Sequence, residues 1–290
     1  MKHKNFGGLT DQYSKFENSK VVIVPVPYDG TSTWIKGADK GPDAIIEASQ
    51  NMELYDIVAD NEVYKIGIHT TDPVKERRSP ERVVKEVESK ISQLLKKKKF
   101  PVIIGGEHSV SIGAFRAFAE FYKGADFTIL QFDAHADLRQ EYEGSRYNHA
   151  CVMARAAELA PILQVGVRSM SFEERADVAP ERVFYADYIL DSNNTTWMYD
   201  LMNKTGKNVY ITIDLDVFDP SIMPATGTPE PGGMAWYTML DILSKINQKT
   251  NIVGFDVVEL APMKYNKAPN FMAAKLIYQL LTYKFSSTLK

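Results

Sequence analysis

Three residues of cation-binding type stand at every second position in Asp133-Ala-His135-Ala-Asp137, just after the apolar run that starts at Phe127. Alternate residues of an extended chain point to one side. The two carboxylates would therefore repel each other unless positive charge lies between them. The same spacing recurs at Asp214-Leu-Asp216, while Gly105-Gly-Glu-His108 and Glu259 close two further apolar runs. A single Asp or His after a strand reads as a cap or a turn former. Four strand ends carrying such groups together point to a shared cation, because buried carboxylates without one are costly.

The set holds two imidazoles, His108 and His135, and four aspartates, Asp133, Asp137, Asp214 and Asp216. Six side chains exceed what one tetrahedral metal takes. With one carboxylate shared they suit two divalent ions, four negative charges against four positive. Oxygen and imidazole ligands without sulfur favour Mn²⁺, and the ligand types also admit Zn²⁺, Co²⁺ or Fe²⁺. A bound ion brings the pKa of water from about 15.7 to about 7 in favourable cases. Hydroxide is then available at neutral pH without a serine or cysteine nucleophile, and no G-x-S-x-G elbow occurs. The expected chemistry is metal-assisted hydrolysis.

These residues need strands that end side by side. β-branched runs at 21–27, 63–68, 101–106, 127–133, 162–167, 182–186, 208–216 and 251–259 read as strands. Between them lie helical patterns: PDAIIEASQNM, SPERVVKEVESKISQLLKK, SVSIGAFRAFAEFY, HACVMARAAEL, MSFEERADV, TTWMYDLMNK, MAWYTMLDILSKINQ and FMAAKLIYQLLTYK. Ser79-Pro80-Glu81 is a helix start with proline inside the first turn. The alternation predicts βαβ units and a parallel sheet, with ligands beyond the carboxyl ends of its strands. The first strand is followed by no G-x-G-x-x-G, and no G-x-x-x-x-G-K-[ST] occurs, so nucleotide cofactors are not expected.

No linker, repeat or low-complexity tract divides the 290 residues, which read as one domain over 1–290. A 44% hydrophobic content suffices for a sizeable core. Thirty-four basic against 37 acidic residues, net −3, suggest neither a nucleic-acid partner nor a membrane surface. The Lys96–Lys99 run reads as a solvated helix C-terminus. The single cysteine, Cys151, excludes an intramolecular disulfide and reads as a buried small hydrophobe. The first twenty residues lack the apolar stretch of a signal peptide, and no run reaches membrane-spanning length, so a cytoplasmic protein is expected.

GGEHS, DAHAD, D-x-D-x-x-D-P and P-x-T-G-T-P-E-P-G-G together resemble the ureohydrolases, the family of arginase and agmatinase. The likeness runs from P-V-P-Y-D-G-T-S-T-W to D-V-V-E-L-A-P. It implies a three-layer α/β/α fold around a mostly parallel sheet of about eight strands. It also implies a dimanganese centre and hydrolysis of a guanidino group to urea by a hydroxide bridging the two ions. Trimers or hexamers are the implied assemblies. By position, the implied metal ligands are His108, Asp133, His135, Asp137, Asp214 and Asp216. The catalytic histidine falls on His149 and the guanidinium-binding acid on Glu259, while Asp137 holds the nucleophile and relays its proton. Two positions depart from the family pattern: Ala136, where Thr or Leu is common, and Ala150, where Gly is common.

The loop Leu138–Asn148 lacks the arginase-like S-G-N-x-H-G pattern, and its D-L-R-x-x-Y-E-G segment resembles agmatinases. An acidic loop suits a substrate with two cationic ends, with Glu143 or Glu141 drawing the distal ammonium of agmatine. Arg139 and Arg146 would instead suit a guanidino acid such as guanidinobutyrate. The expectation is agmatine cleavage to putrescine and urea, with guanidinobutyrase, arginase and formiminoglutamase as alternatives, and a non-catalytic metal-binding relative as a distant one. A single-zinc deacetylase-like site is disfavoured by the full six-ligand set. Residues 224–233 are expected to form a Pro- and Gly-rich loop near the site.

Overall fold

The computed structural model describes residues 5–191 and 196–289. Its strands are β1 (Val21–Val26), β2 (Ile68–Thr70), β3 (Phe100–Gly105), β4 (Phe127–Phe132), β5 (Ile162–Val165), β6 (Val183–Phe184), β7 (Asn208–Asp214) and β8 (Asn251–Val258). They form one eight-stranded sheet in the order β2-β1-β3-β8-β7-β4-β5-β6, and every pairing is parallel. The helices are α1 (Asp11–Ser14), α2 (Gly41–Ser49), α3 (Pro80–Lys96), α4 (Ser111–Phe121), α5 (Val152–Ala157), α6 (Ala186–Leu190), α7 (Trp197–Lys204), α8 (Trp236–Lys249) and α9 (Ala268–Phe285).

The sheet is covered on both faces, which is why its strands read as continuous apolar runs. Val21 and Ile23 of β1 enter one core with α2, α7, α8 and α9, while Val22, Val24 and Val26 enter the other with α3, α4 and α5. In β8 the alternation slips. Ile252 and Phe255 share a face although they are three apart, because a register shift opposite Val209/Tyr210 absorbs one extra residue.

Three expected elements differ. The run 63–68 is not a strand: Val63–Ile66 is a 3₁₀ turn, and β2 starts only at Ile68. Gly67 separates them at φ 82°, and a Cβ there would lie 2.4 Å from the Asn18 carbonyl oxygen. That backbone region favours glycine. MSFEERADV yields one 3₁₀ turn, Glu173–Ala176, because the Glu174 carboxylate turns inward and accepts from the amides of Leu138 and Ser171. In 182–186 the strand is two residues long and α6 begins at Ala186. The first residue of the TTWMYDLMNK pattern, Thr195, lies outside the described residues.

The chain visits the edges before the centre. β3 and β4 follow each other in sequence, yet β8 and β7 are later inserted between them. The four strands β3-β8-β7-β4 are therefore adjacent, and they are the ones whose ends carry His108, Glu259, Asp214 with Asp216, and Asp133 with His135 and Asp137.

Candidate metal centre and active site

At the carboxyl end of β3 the chain turns at Gly106. Its amide donates to Val26 O and its Cα presses on Tyr28, where a Cβ would sit 1.8 Å from the carbonyl oxygen. This close approach sets the buried pair Glu107 and His108 under the cavity. Glu259, just past β8, donates its amide to Gly106 O and accepts the His108 amide at Oε1, 2.7 Å. Glu259 and Asp137 both hold positive φ, 67° and 54°. For residues with a Cβ this is uncommon and costs backbone energy.

The ligand-type side chains converge. His108, Asp133 and Asp214 offer atoms within 4.8 Å of one another, and Asp133, His135 and Asp216 do the same. Asp133 belongs to both groups. Asp137 belongs to neither, but its Oδ2 lies 3.1 Å from His108 Nδ1. His108 Nδ1 is also 3.1 Å from Asp133 Oδ2 and 3.5 Å from Asp214 Oδ2. His135 Nδ1 lies 2.9 Å from Asp216 Oδ2 and 3.5 Å from Asp133 Oδ1.

Buried partners aim these groups. Asp133 accepts from Gln131 Nε2 at 2.7 Å and from the His135 amide at 2.6 Å. Gln131 is held in turn by Gln164 at 2.6 Å. Asp216 accepts the Ala134 amide, and Asp214 accepts the Asp216 amide. His108 Nε2 lies 2.9 Å from Thr212 Oγ1, which bonds Asp256 Oδ1 at 2.6 Å, and Tyr210 donates to the other oxygen of Asp256 at 2.7 Å. The Thr212 hydroxyl spends its one proton on Asp256, so it accepts from His108 Nε2–H. A proton is thereby fixed on Nε2, and Nδ1 faces carboxylate oxygens; burial works to lower this ring, but Asp133 and Asp137 hold it well above the ordinary imidazole range.

That orphaned, fully buried Nδ1 fits a cation. The electrostatics agree. Burial and the neighbouring Asp216 and Asp133 carboxylates push Asp214 well above the usual carboxylate range, and burial with Glu107 does so for Glu259. Burial and Asp133 raise Asp137 to about 7. Burial works to lower His135, but the Asp216 and Asp133 carboxylates push it to about 12, so a positive charge is demanded there. Two divalent ions would meet that demand with His108, Asp133 and Asp214 on one side and Asp133, His135 and Asp216 on the other.

A cavity of about 290 Å³ opens above these groups, lined also by Trp34, Arg139, Tyr142, His149, Glu174 and Thr228. Burial and then the nearby His135 and His108 lower His149 to about 4, so it is neutral at pH 7. The Asn148 side chain accepts the Ala150 amide, 3.1 Å, and starts the turn that carries His149. Arg139 lies over the Tyr142 ring, 4.5 Å from its centroid, with Nε 3.7 Å from Glu174.

Glu143 is not brought to the cavity. Tyr142 and Ser145 exchange both backbone hydrogen bonds, and Glu143 and Gly144 between them have φ of 48° and 78°. Two positive φ values are what a tight two-residue hairpin turn requires, and they leave Glu143 exposed at its tip. Its neighbour Tyr142 faces the cavity instead. Glu141 and Arg146 are also exposed, and Arg146 pairs with Glu158 at 2.7 Å. Residues missed by sequence reasoning are the supports Gln131, Thr212, Asp256, Glu174 and Arg168. Arg168 donates to the carbonyls of Asp216 (2.7 Å), Glu230 (2.8 Å) and Pro231 (2.9 Å), tying the 224–233 loop to the site. The loop also brings Glu230 Oε1 to 3.8 Å from His135 Nε2. Thr212 and Asp256 have a polar signal inside otherwise apolar strands, which in hindsight marks a buried partner.

The model of the Arginase family matches residues 19–282. N(1)-aminopropylagmatine ureohydrolase from Synechocystis sp. is 37% identical, over 94% of this chain and 92% of that protein. Agmatinase from Pyrococcus horikoshii is 31% identical, over 91% and 92%. The crystal structure of the agmatine ureohydrolase of Thermoplasma volcanium superimposes with a TM-score of 0.89 at 31% identity, covering 100% of this chain and 97% of that one.

Proposed function

Because this chain belongs to the arginase family, we propose that it is an agmatinase-type ureohydrolase that converts agmatine and water to putrescine and urea. The carrying observation is the charge lining of the cavity. Besides the ligand-type Asp137, Asp214 and Asp216, Glu259 and Glu174 line it, and the one Lys or Arg side chain among the described lining residues, Arg139, is already stacked on Tyr142 and paired with Glu174. Such a wall suits a cationic guanidinium with an amine tail, and offers no free cation to an α-carboxylate or a guanidino acid.

His108, Asp133, Asp214, His135 and Asp216 would hold two Mn²⁺ ions, with Asp137 beside His108. When bound, the ions supply hydroxide at neutral pH and polarise the group under attack. Glu259 keeps Oε2 for guanidinium N–H donors, since the His108 amide already occupies Oε1. Asp137, whose Oδ2 lies 3.1 Å from His108 Nδ1, would hydrogen-bond the attacking oxygen and take its proton. His149, neutral at rest, would first take a proton at its free ring nitrogen and then pass it to the departing amine nitrogen. Tyr142 and Trp34 flank the tail. A cytoplasmic setting and a homo-oligomer belong to the same reading.

A second substrate, N(1)-aminopropylagmatine, is favoured by the Synechocystis relative named for it, at 37% identity. Urea release from agmatine, N(1)-aminopropylagmatine, arginine and 4-guanidinobutyrate, with Mn²⁺ supplied, separates these by kcat/KM. Either amine should exceed both acids by at least ~10²-fold, since leaving a buried charge unpaired costs about 2–5 kcal/mol. Equal rates with arginine would sink the proposal.

A further inference from the structure

His149 is tied to a buried carboxylate through a threonine. Its amide donates to Thr31 Oγ1 at 2.9 Å, and its ring Nδ1 lies 3.3 Å from the same oxygen. Thr31 Oγ1 is 2.8 Å from Glu107 Oε2. Glu107 is fully buried and further accepts the Ser109 hydroxyl at 2.6 Å and the Ser109 amide at 3.2 Å. Burial pulls Glu107 up to about 7, and the three donors that converge on it pull the other way, toward the ionised form. The Thr31 hydroxyl has one proton and gives it to Glu107. Its oxygen then accepts twice, from the His149 amide and from Nδ1–H.

We infer that Thr31 and Glu107 are positioning residues that lock His149 with its proton on Nδ1 and the Nε2 lone pair free for the cavity. The device repeats, with nitrogens exchanged, the one beneath His108. There Asp256 and Thr212 hold the proton on Nε2 and free Nδ1. In both, a buried acid polarises a threonine, and the threonine selects one imidazole tautomer. One arrangement frees a nitrogen for a cation, the other for a proton. Thr31 arrives from the segment after β1, so the P-V-P-Y-D-G-T-S-T-W stretch gains a chemical task.

The inference rests on His149 being the proton carrier of the proposed reaction, and its test separates the two ideas. The protein has five histidines, so long-range ¹H–¹⁵N spectra of the Zn²⁺-loaded chain can resolve each ring, with His149→Asn identifying the relevant signals. The wild type should show Nδ1 protonated and Nε2 bare. Thr31→Val should give a mixture of tautomers and lower kcat about tenfold with KM within about twofold, whereas Thr31→Ser should restore both. A wild-type spectrum with the proton on Nε2 would overturn the inference outright. So would a Thr31→Val spectrum identical to wild type. Full turnover in His149→Asn would refute the catalytic role of His149, and the spectra would still decide the positioning.

Discussion

The two sides of the candidate metal centre are built differently. Around His108 the partners of the outer ring nitrogen lie in the sheet: Thr212 on β7, Asp256 on β8, and Tyr210 closing the network beneath. The imidazole is 1% exposed. Around His135 the partners are carboxylates at strand ends and in a loop. Its side chain is 25% exposed, and its outer nitrogen faces Glu230 at 3.8 Å, beyond hydrogen-bonding distance. Rigid strands orient one imidazole through a chain of charge-assisted bonds, while a loop clamped by Arg168 borders the other. The difference predicts two unequal cation sites, with the His135 side yielding its ion first.

The largest effect should come from removing what the sides share. Asp133→Ala deletes the carboxylate common to both groups and leaves His108 and His135 facing incomplete sets. Both ions should be lost and turnover should fall by at least ~10³-fold, since hydroxide at neutral pH depends on the metal. Elemental analysis of the purified variant beside the urea assay checks this. Retention of two ions per chain with normal turnover would break the assignment.

Next comes the buried support of one side. Thr212→Val keeps shape but removes the acceptor for His108 Nε2–H and the donor to Asp256. Outer partners of this kind are typically worth about 10–100-fold in metal affinity. Stepwise Mn²⁺ titration should show that loss on the tighter of the two phases. On the other side, Arg168→Ala frees the carbonyls of Asp216, Glu230 and Pro231 and should weaken the looser phase by about tenfold or less, the low end of that range. Reversal of this pattern would mean that the loop, not the sheet, governs the tighter site.

What the sequence disclosed follows the same division. Alternation at strand ends revealed Asp133, His135, Asp137, Asp214 and Asp216, because spacing within a strand is local information. The adjacency of β3, β8, β7 and β4 was not readable, since it depends on where late strands insert. Thr212 and Asp256 sit in strand interiors, where pattern reading sees only one face of a buried strand. Val63–Ile66 looked like a strand because its residue types are β-branched and aromatic, and Gly67 overrides them through backbone geometry. Glu143 looked like a substrate acid because composition carries no direction. The two left-handed residues of its turn point it outward and give the cavity Tyr142 instead.

The smallest effect should lie in the loop itself, at Asp219. Its carboxylate accepts the amides of Ser221 at 3.0 Å, Gly232 at 3.0 Å and Gly233 at 3.2 Å, closing the base of the loop that carries Glu230. Hydrogen bonds from Ser221, and then from Gly233 and Gly232, lower it from the ordinary 3.8 to about 2. A depressed carboxylate stabilises the folded state above its unfolded value and loses that contribution as pH falls toward the folded one. The group is half-buried and partly open to solvent, so screening keeps the contribution small. Asp219→Asn should therefore lower Tm of the metal-free protein slightly and by a constant amount from pH 7 to about pH 5. The gap to wild type should narrow below about pH 4 as the wild-type advantage disappears. In the Mn²⁺ titration the same substitution should shift only the looser phase, by less than Arg168→Ala, because it loosens the loop without touching Asp216. A larger effect on the tighter phase would show that the loop braces the His108 side as well, and the two halves of the centre would then be one mechanical unit.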